Sequence, residues 1–242
     1  MNILTFDSDA KLNEAAANII IGQIQTTPRA VLGLATGGTP VGIYKQVVKE
    51  FERGMFSFRN VTTFNLDEYV NIPVDHPESY HSYMKSHLFG QIDLPAAQCH
   101  IPDGNAADLA EECRRYDEAI ELEGQIDLQL LGLGHNGHIG FNEPAHALTK
   151  GTHIVGLAQE TREANARFFD SIDDVPKQAL TMGVGTILKA KKILLVVKGA
   201  DKADIVKSSL QGPITTDVPA SLLQTHPNLI VLLDNAAAGK LA

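Results

Sequence analysis

The apolar run Ile126 to Leu131 ends abruptly in Gly132-Leu133-Gly134-His135-Asn136-Gly137-His138-Ile139-Gly140-Phe141-Asn142-Glu143-Pro144. A run this short and this apolar predicts a strand buried on both faces, as in a parallel sheet with helices packed over it. Gly132, Gly134 and Gly137 free the backbone for a tight loop directly after the strand. The loop's polar residues, His135, Asn136, His138, Asn142 and Glu143, therefore collect at a strand's carboxyl end, where open α/β sheets take their ligands.

Both sides of this stretch repeat the pattern. Strands are expected at Asn2 to Phe6 (an edge), Ala30 to Leu34, Val61 to Asn65, Cys99 to Ile101, Gly151 to Leu157, from Ala179, at Lys192 to Val197 and at Asn228 to Leu233. Helical spacing fills the intervals, with helices from Leu12, at Val41 to Arg53, Glu78 to Phe89, Asp108 to Leu122, Thr161 to Phe169 and Pro219 to Gln224, before a small-residue tail. Strands and helices alternate with no internal repeat and no linker, which predicts one doubly wound α/β domain spanning residues 1–242. A chain of this length buries a sizeable core without staples, and Cys99 and Cys113 are read as free thiols.

The formal charge of −9, with no Lys/Arg cluster, disfavours nucleic acid as a partner. The absence of a long apolar run or a basic apolar leader disfavours a membrane partner, and the cytoplasm is the expected location. A small anionic ligand is compatible with the charge, because one phosphate can be held locally by a helix N-terminus and a few cations.

The segment Thr36-Gly37-Gly38-Thr39-Pro40 supplies such a place: a strand, a two-glycine turn and a helix start, with Thr39 expected as the N-cap and Pro40 as the first helical residue. It is neither GxGxxG nor a P-loop, so no nucleotide is implied, and an ordinary βα turn is the competing reading. After the third strand come Asp67 and Glu68, of which only one can face a pocket because neighbouring strand side chains point to opposite faces. Capping of a later turn is the alternative role for either acid. Tyr80 and His81 could line the pocket or pack. Arg162 and Arg167 are candidate anion ligands by virtue of the planar guanidinium fork, with surface pairing as the alternative. His135, His138 and Glu143 could in principle hold a metal, but the two histidines lie on a glycine-containing loop without a helical scaffold. Proton transfer by a histidine oriented by a carboxylate suits them better.

The stretch Gly132 to Pro144 resembles the signature of the glucosamine-6-phosphate deaminases, and Asn65-Leu66-Asp67-Glu68-Tyr69 and Thr36 to Pro40 extend the likeness over nearly the whole chain. The resemblance implies the mostly parallel, Rossmann-like fold shared with ribose-5-phosphate isomerase A, and conversion of glucosamine 6-phosphate to fructose 6-phosphate and ammonium without metal or organic cofactor. It also implies roles. Asp67 is the base at carbon 2; His138 serves ring opening with Glu143 and Asn136 orienting it; Thr36, Gly37, Gly38, Thr39, Arg167 and Lys202 serve the phosphate, with Lys198 outside. Many relatives carry Asp at Asn136, and an amide can orient a histidine but not ionise. The chain is shorter than the long allosteric members, so activation by an acetylated sugar phosphate is not expected, and monomer and homo-oligomer both stay open. A 6-phosphogluconolactonase, whose pattern diverges after the histidine, and a noncatalytic sugar-phosphate sensor are the alternatives.

Overall fold

The structure, a computed structural model, describes residues 1–166, 169 and 171–241. Seven strands form one sheet in the spatial order β1 (Asn2–Phe6), β10 (Leu229–Asp234), β9 (Ile193–Val197), β6 (Leu128–Leu131), β2 (Val31–Leu34), β3 (Thr62–Asn65), β5 (Cys99–His100), and every neighbouring pair is parallel. Strands β2, β3, β6 and β9 are buried along their whole length, as strands between two helical layers are, although β3 reads Thr-Thr-Phe-Asn and β6 carries Gln129. The edge strand β1 instead leaves Leu4 half exposed.

The flanking helices are α1 (Asp9–Thr26), α2 (Gly38–Glu52), α3 (Tyr80–His87), α4 (Leu109–Leu122), α5 (Gln159–Asn165), α6 (Val184–Leu188) and α7 (Ala203–Gln211). In α1 the buried side chains Leu12, Ala16, Ile20 and Ile24 recur every four residues, so one stripe packs on the sheet, and Ser8 caps the start. Asp108 caps α4 by accepting from the amides of Ala110 and Glu111. On α4 one acid is not solvated: Glu112 is buried, paired with Arg115 and accepting from the Asp103 amide. No helix among the described residues is long and apolar enough to cross a membrane.

Between β2 and β6 the strand order reverses: the chain runs outward from β2 to β3 and β5, then returns to β2's other side as β6. The loops after β2 and β6 thus flank one crevice at the sheet's carboxyl edge, the topological switch point at which such sheets bind ligands.

Two expectations need correction. The strands predicted near Gly151 and Ala179 do not join the main sheet. They form β7 (His153–Gly156) and β8 (Gln178–Thr181), which pair antiparallel with each other and with β4 (Asp67–Tyr69), giving a second, three-stranded sheet. The cause is a departure of the chain after Leu66, whose amide still reaches Leu34 of the main sheet while its carbonyl accepts from Met182. Second, α2 begins at Gly38 with Gly37 as N-cap and no side-chain cap, so Thr39 lies inside the first turn. Gly37 takes φ 90°, which a threonine would resist, and Pro40 remains in the first turn, where its missing N–H costs nothing.

Candidate active site

A cavity of about 650 Å³ opens at the switch point, bounded by the segment after β2, by β4, by the loop 132–141 and by residues 198–202. Its first wall is the turn from Ala35 to Thr39. Tyr44 donates to the Ala35 carbonyl and Tyr83 to the Gly37 carbonyl, each at 2.6 Å, and Tyr80 hydrogen-bonds the Thr36 side chain. Hydroxyls from α2 and α3 thereby occupy acceptors of the turn, while the uncapped first turn of α2 keeps its amides without intrahelical partners. Thr36, Gly37, Gly38 and Thr39 all line the cavity, as an anion cradle demands. Tyr83→Phe, which frees the Gly37 carbonyl to turn, should raise KM for a phosphorylated substrate by about fivefold with kcat nearly unchanged, the loss of roughly one neutral hydrogen bond. Steady-state kinetics with the phosphosugar checks it, and an unchanged KM refutes it.

The cations are arranged less simply. Lys202 lines the cavity and donates to the Leu133 carbonyl at 2.8 Å. Lys198, expected outside, lines it as well, although its ammonium lies 3.2 Å from Asp9. Arg162 does not line the cavity, and one of its guanidinium nitrogens donates to the carbonyls of Ile172 and Val175. Arg167, expected at the phosphate, lies outside the described residues.

Strand alternation divides Asp67 from Glu68. Asp67 lines the cavity with only 6 % of its surface exposed. Glu68 turns the other way and accepts from the amides of Tyr69, Tyr80 and His81, with His81 Nδ1 at 3.0 Å. The capping role therefore falls to Glu68, at the N-terminus of α3, where a carboxylate is favoured by the helix dipole. His81 is spent on this cap, whereas Tyr80 reaches the cavity. Burial pushes the Asp67 carboxyl up to about 8, and the neighbouring Glu68 charge adds to the rise.

The loop after β6 closes on itself: Gly134 N–H donates to the His138 carbonyl and Gly137 N–H to the Gly134 carbonyl. Of its glycines only Gly137, at φ 88°, and Gly140, at φ 58°, use the left-handed region. Gly134 is needed for room, because a Cβ there would stand 2.3 Å from His138 Nε2. His138 Nδ1 lies 3.2 Å from Glu143 Oε2, which also accepts from Asn136 Nδ2 at 2.6 Å. A carboxylate only accepts, so Nδ1 carries the proton and Nε2 is the nitrogen left to exchange one. Thr161 on α5 donates to Glu143 Oε1 at 2.5 Å, a residue that sequence reasoning passed over because a threonine at a helix start signals nothing but capping. Burial raises the Glu143 carboxyl's proton affinity, but the hydrogen bond and charge of His138, with the Thr161 and Asn136 bonds, outweigh it and bring the pKa to about 2.

The loop and the base meet. A Cβ at Gly140 would stand 2.9 Å from Thr181 Oγ1 and 3.6 Å from Asp67 Oδ2, and the Phe141 amide donates to Thr181 Oγ1. His135 pairs instead with Asp201 at 2.8 Å, on the exposed side of the cavity, so the three residues considered for a metal are not gathered.

A family profile described as glucosamine-6-phosphate isomerases/6-phosphogluconolactonase matches residues 7–231. A glucosamine-6-phosphate deaminase of Bacillus velezensis is 52% identical over 99% of this chain and 99% of its own length. A glucosamine-6-phosphate deaminase of a Geobacillus species is 51% identical over 98% of this chain and 94% of its own. The solved structure of a monomeric glucosamine-6-phosphate deaminase of the NagB superfamily superposes with a TM-score of 0.97 at 48% identity, covering 99% of this chain and 100% of that one. Solved 6-phosphogluconolactonases, such as that of Trypanosoma cruzi at 20% identity and TM-score 0.78, share the fold alone. The chain thus belongs to the family of glucosamine-6-phosphate isomerases and 6-phosphogluconolactonases, within which it stands with the glucosamine-6-phosphate deaminases.

Proposed function

We infer that the protein is an enzyme of amino sugar metabolism that converts glucosamine 6-phosphate and water to fructose 6-phosphate and ammonium, and that residues 1–242 act as one catalytic unit. The observation that carries the reading is the gathering, in one cavity, of a buried acid with raised proton affinity, an imidazole–carboxylate pair and an uncapped helix start. A phosphosugar is charged and does not cross a membrane unaided, which favours a cytoplasmic location.

The phosphate is held by the amides at the start of α2, with Thr36, Thr39, Lys202 and Arg167 contributing. His138 Nε2 moves a proton between the ring oxygen and the carbon 1 hydroxyl, opening the ring, while Glu143 and Asn136 hold the imidazole in place. Asp67 then takes the proton from carbon 2 and returns it to carbon 1 through an enolamine. Protonation leaves an iminium at carbon 2; water adds there, ammonia departs and the ketone remains. Every step is a proton transfer, an addition at carbon or an elimination from it, so the chemistry is general acid–base throughout.

The test is turnover by the purified protein, following ammonium and fructose 6-phosphate together, with 6-phosphogluconolactone as a parallel substrate. Equal amounts of both products are expected. Lactone hydrolysis without release of ammonium would move the chain to the lactonase side, and tight binding without turnover of either would make it a sensor.

A further inference from the structure

The bond between Thr161 and Glu143 ties α5 by a side-chain hydrogen bond to the loop that carries His138, and both line the cavity. Glu143 uses its two oxygens differently. Oε2 serves both His138 and Asn136, whereas Oε1 takes the Thr161 hydroxyl. A terminal carboxylate torsion is broad and nearly two-fold, so with donors on one oxygen only the group could swivel and exchange its oxygens. The Thr161 hydroxyl removes that freedom, and its bond to an ionised group is of the short, charge-assisted kind.

Among the described residues, the Thr161 hydroxyl donates to Glu143 and caps no helix. The N-cap of α5 is Ala158, without a side-chain cap bond, and the threonine is nearly buried while still lining the cavity. The helix is tied down by means of its neighbours: Arg162 holds the carbonyls of Ile172 and Val175, and Leu157 packs in the cluster that contains Phe141 and Tyr69. Resting on the deaminase reading, we propose that Thr161 is a positioning residue of the acid–base set: its hydroxyl orients Glu143 for His138, so that seating of α5 beside the cavity also completes the proton-transfer geometry.

The experiment compares Thr161→Val, Thr161→Ser and Thr161→Ala with the unaltered protein on glucosamine 6-phosphate. Valine keeps the shape and loses the hydroxyl; serine keeps the hydroxyl and loses the methyl. Thr161→Val is expected to lose about tenfold in kcat with KM within about twofold, the weight of one hydrogen bond to a charged group, while Thr161→Ser stays within about twofold of the parent. Should valine impair folding, alanine takes its place, and the same split between alanine and serine is expected. Equal loss in Thr161→Ser and Thr161→Ala, or full kcat in Thr161→Val, overturns the proposal. If the unaltered protein itself fails to turn the substrate over, the functional reading fails first, so the two failures are told apart.

Discussion

Asp67→Asn is expected to lower turnover of glucosamine 6-phosphate by about 10²–10⁴-fold while making the protein more stable. The loss follows from removing the base that reaches carbon 2, since an amide accepts a hydrogen bond but no proton. The gain follows from the carboxyl's burial. In the fold Asp67 stays protonated up to about pH 8, whereas in the unfolded chain it ionises near its ordinary value of 3.8. Below pH 3.8 both states hold the proton and the group is neutral toward stability. Between about pH 4 and pH 8 the unfolded chain has released its proton and the folded one has not, so the fold loses about 1.4 kcal/mol per pH unit. Above pH 8 the loss is constant. Thermal unfolding of the Asn variant should therefore exceed that of the parent most clearly at pH 8, with the margin closing toward pH 4. The same value sets the activity profile: kcat/KM of the unaltered enzyme should climb with pH toward about 8 as the base form fills. Near-native turnover in Asp67→Asn, or a stability margin independent of pH, would show that the carboxyl is not the buried base described.

Gly134→Ala should be nearly as damaging to activity. The added methyl would sit 2.3 to 2.4 Å from three atoms of the His138 ring, so the imidazole must leave its place or the loop must open. A displacement of about 1 Å at a catalytic group can cost roughly 10²-fold, and a loss of that order in kcat/KM is expected with the thermal midpoint little changed. The variant leaves every acid and base in the sequence and alters only where one of them stands. Activity close to the parent would mean that His138 tolerates misplacement and does not perform the proton transfer assigned to it.

The main sheet was legible because several of its strands are short apolar runs alternating with helical spacing, and the ligand-binding carboxyl edge followed from the polar loop after Leu131. That only one of Asp67 and Glu68 faces the cavity was legible from period-two alternation, whereas the choice of Asp67 came from the resemblance. The three-stranded sheet was not, because β4 has three residues and its partner β8 lies far along the chain, so no local pattern announces the pairing. The start of α2 was misread because Thr39 and Pro40 imitate a cap and a first turn, while Gly37, with its positive φ, makes the real boundary. Thr161, Tyr44 and Tyr83 escaped for a similar reason: their hydroxyls act on residues outside their own helical turn, and nothing in their spacing predicts the partner. Arg162, left open between an anion ligand and a surface pair, gives one guanidinium nitrogen to the backbone carbonyls of Ile172 and Val175.

The cap that Glu68 forms on α3 has a consequence for how this chain can change length. Insertion or deletion of a single residue between Leu66 and Tyr69 would rotate the strand by one place, turning Asp67 away from the cavity and pulling the Glu68 carboxylate away from the amides of Tyr80 and His81. The main sheet would hardly notice, for β3 ends before this point. These four positions are indel-intolerant: a frame that counts residues.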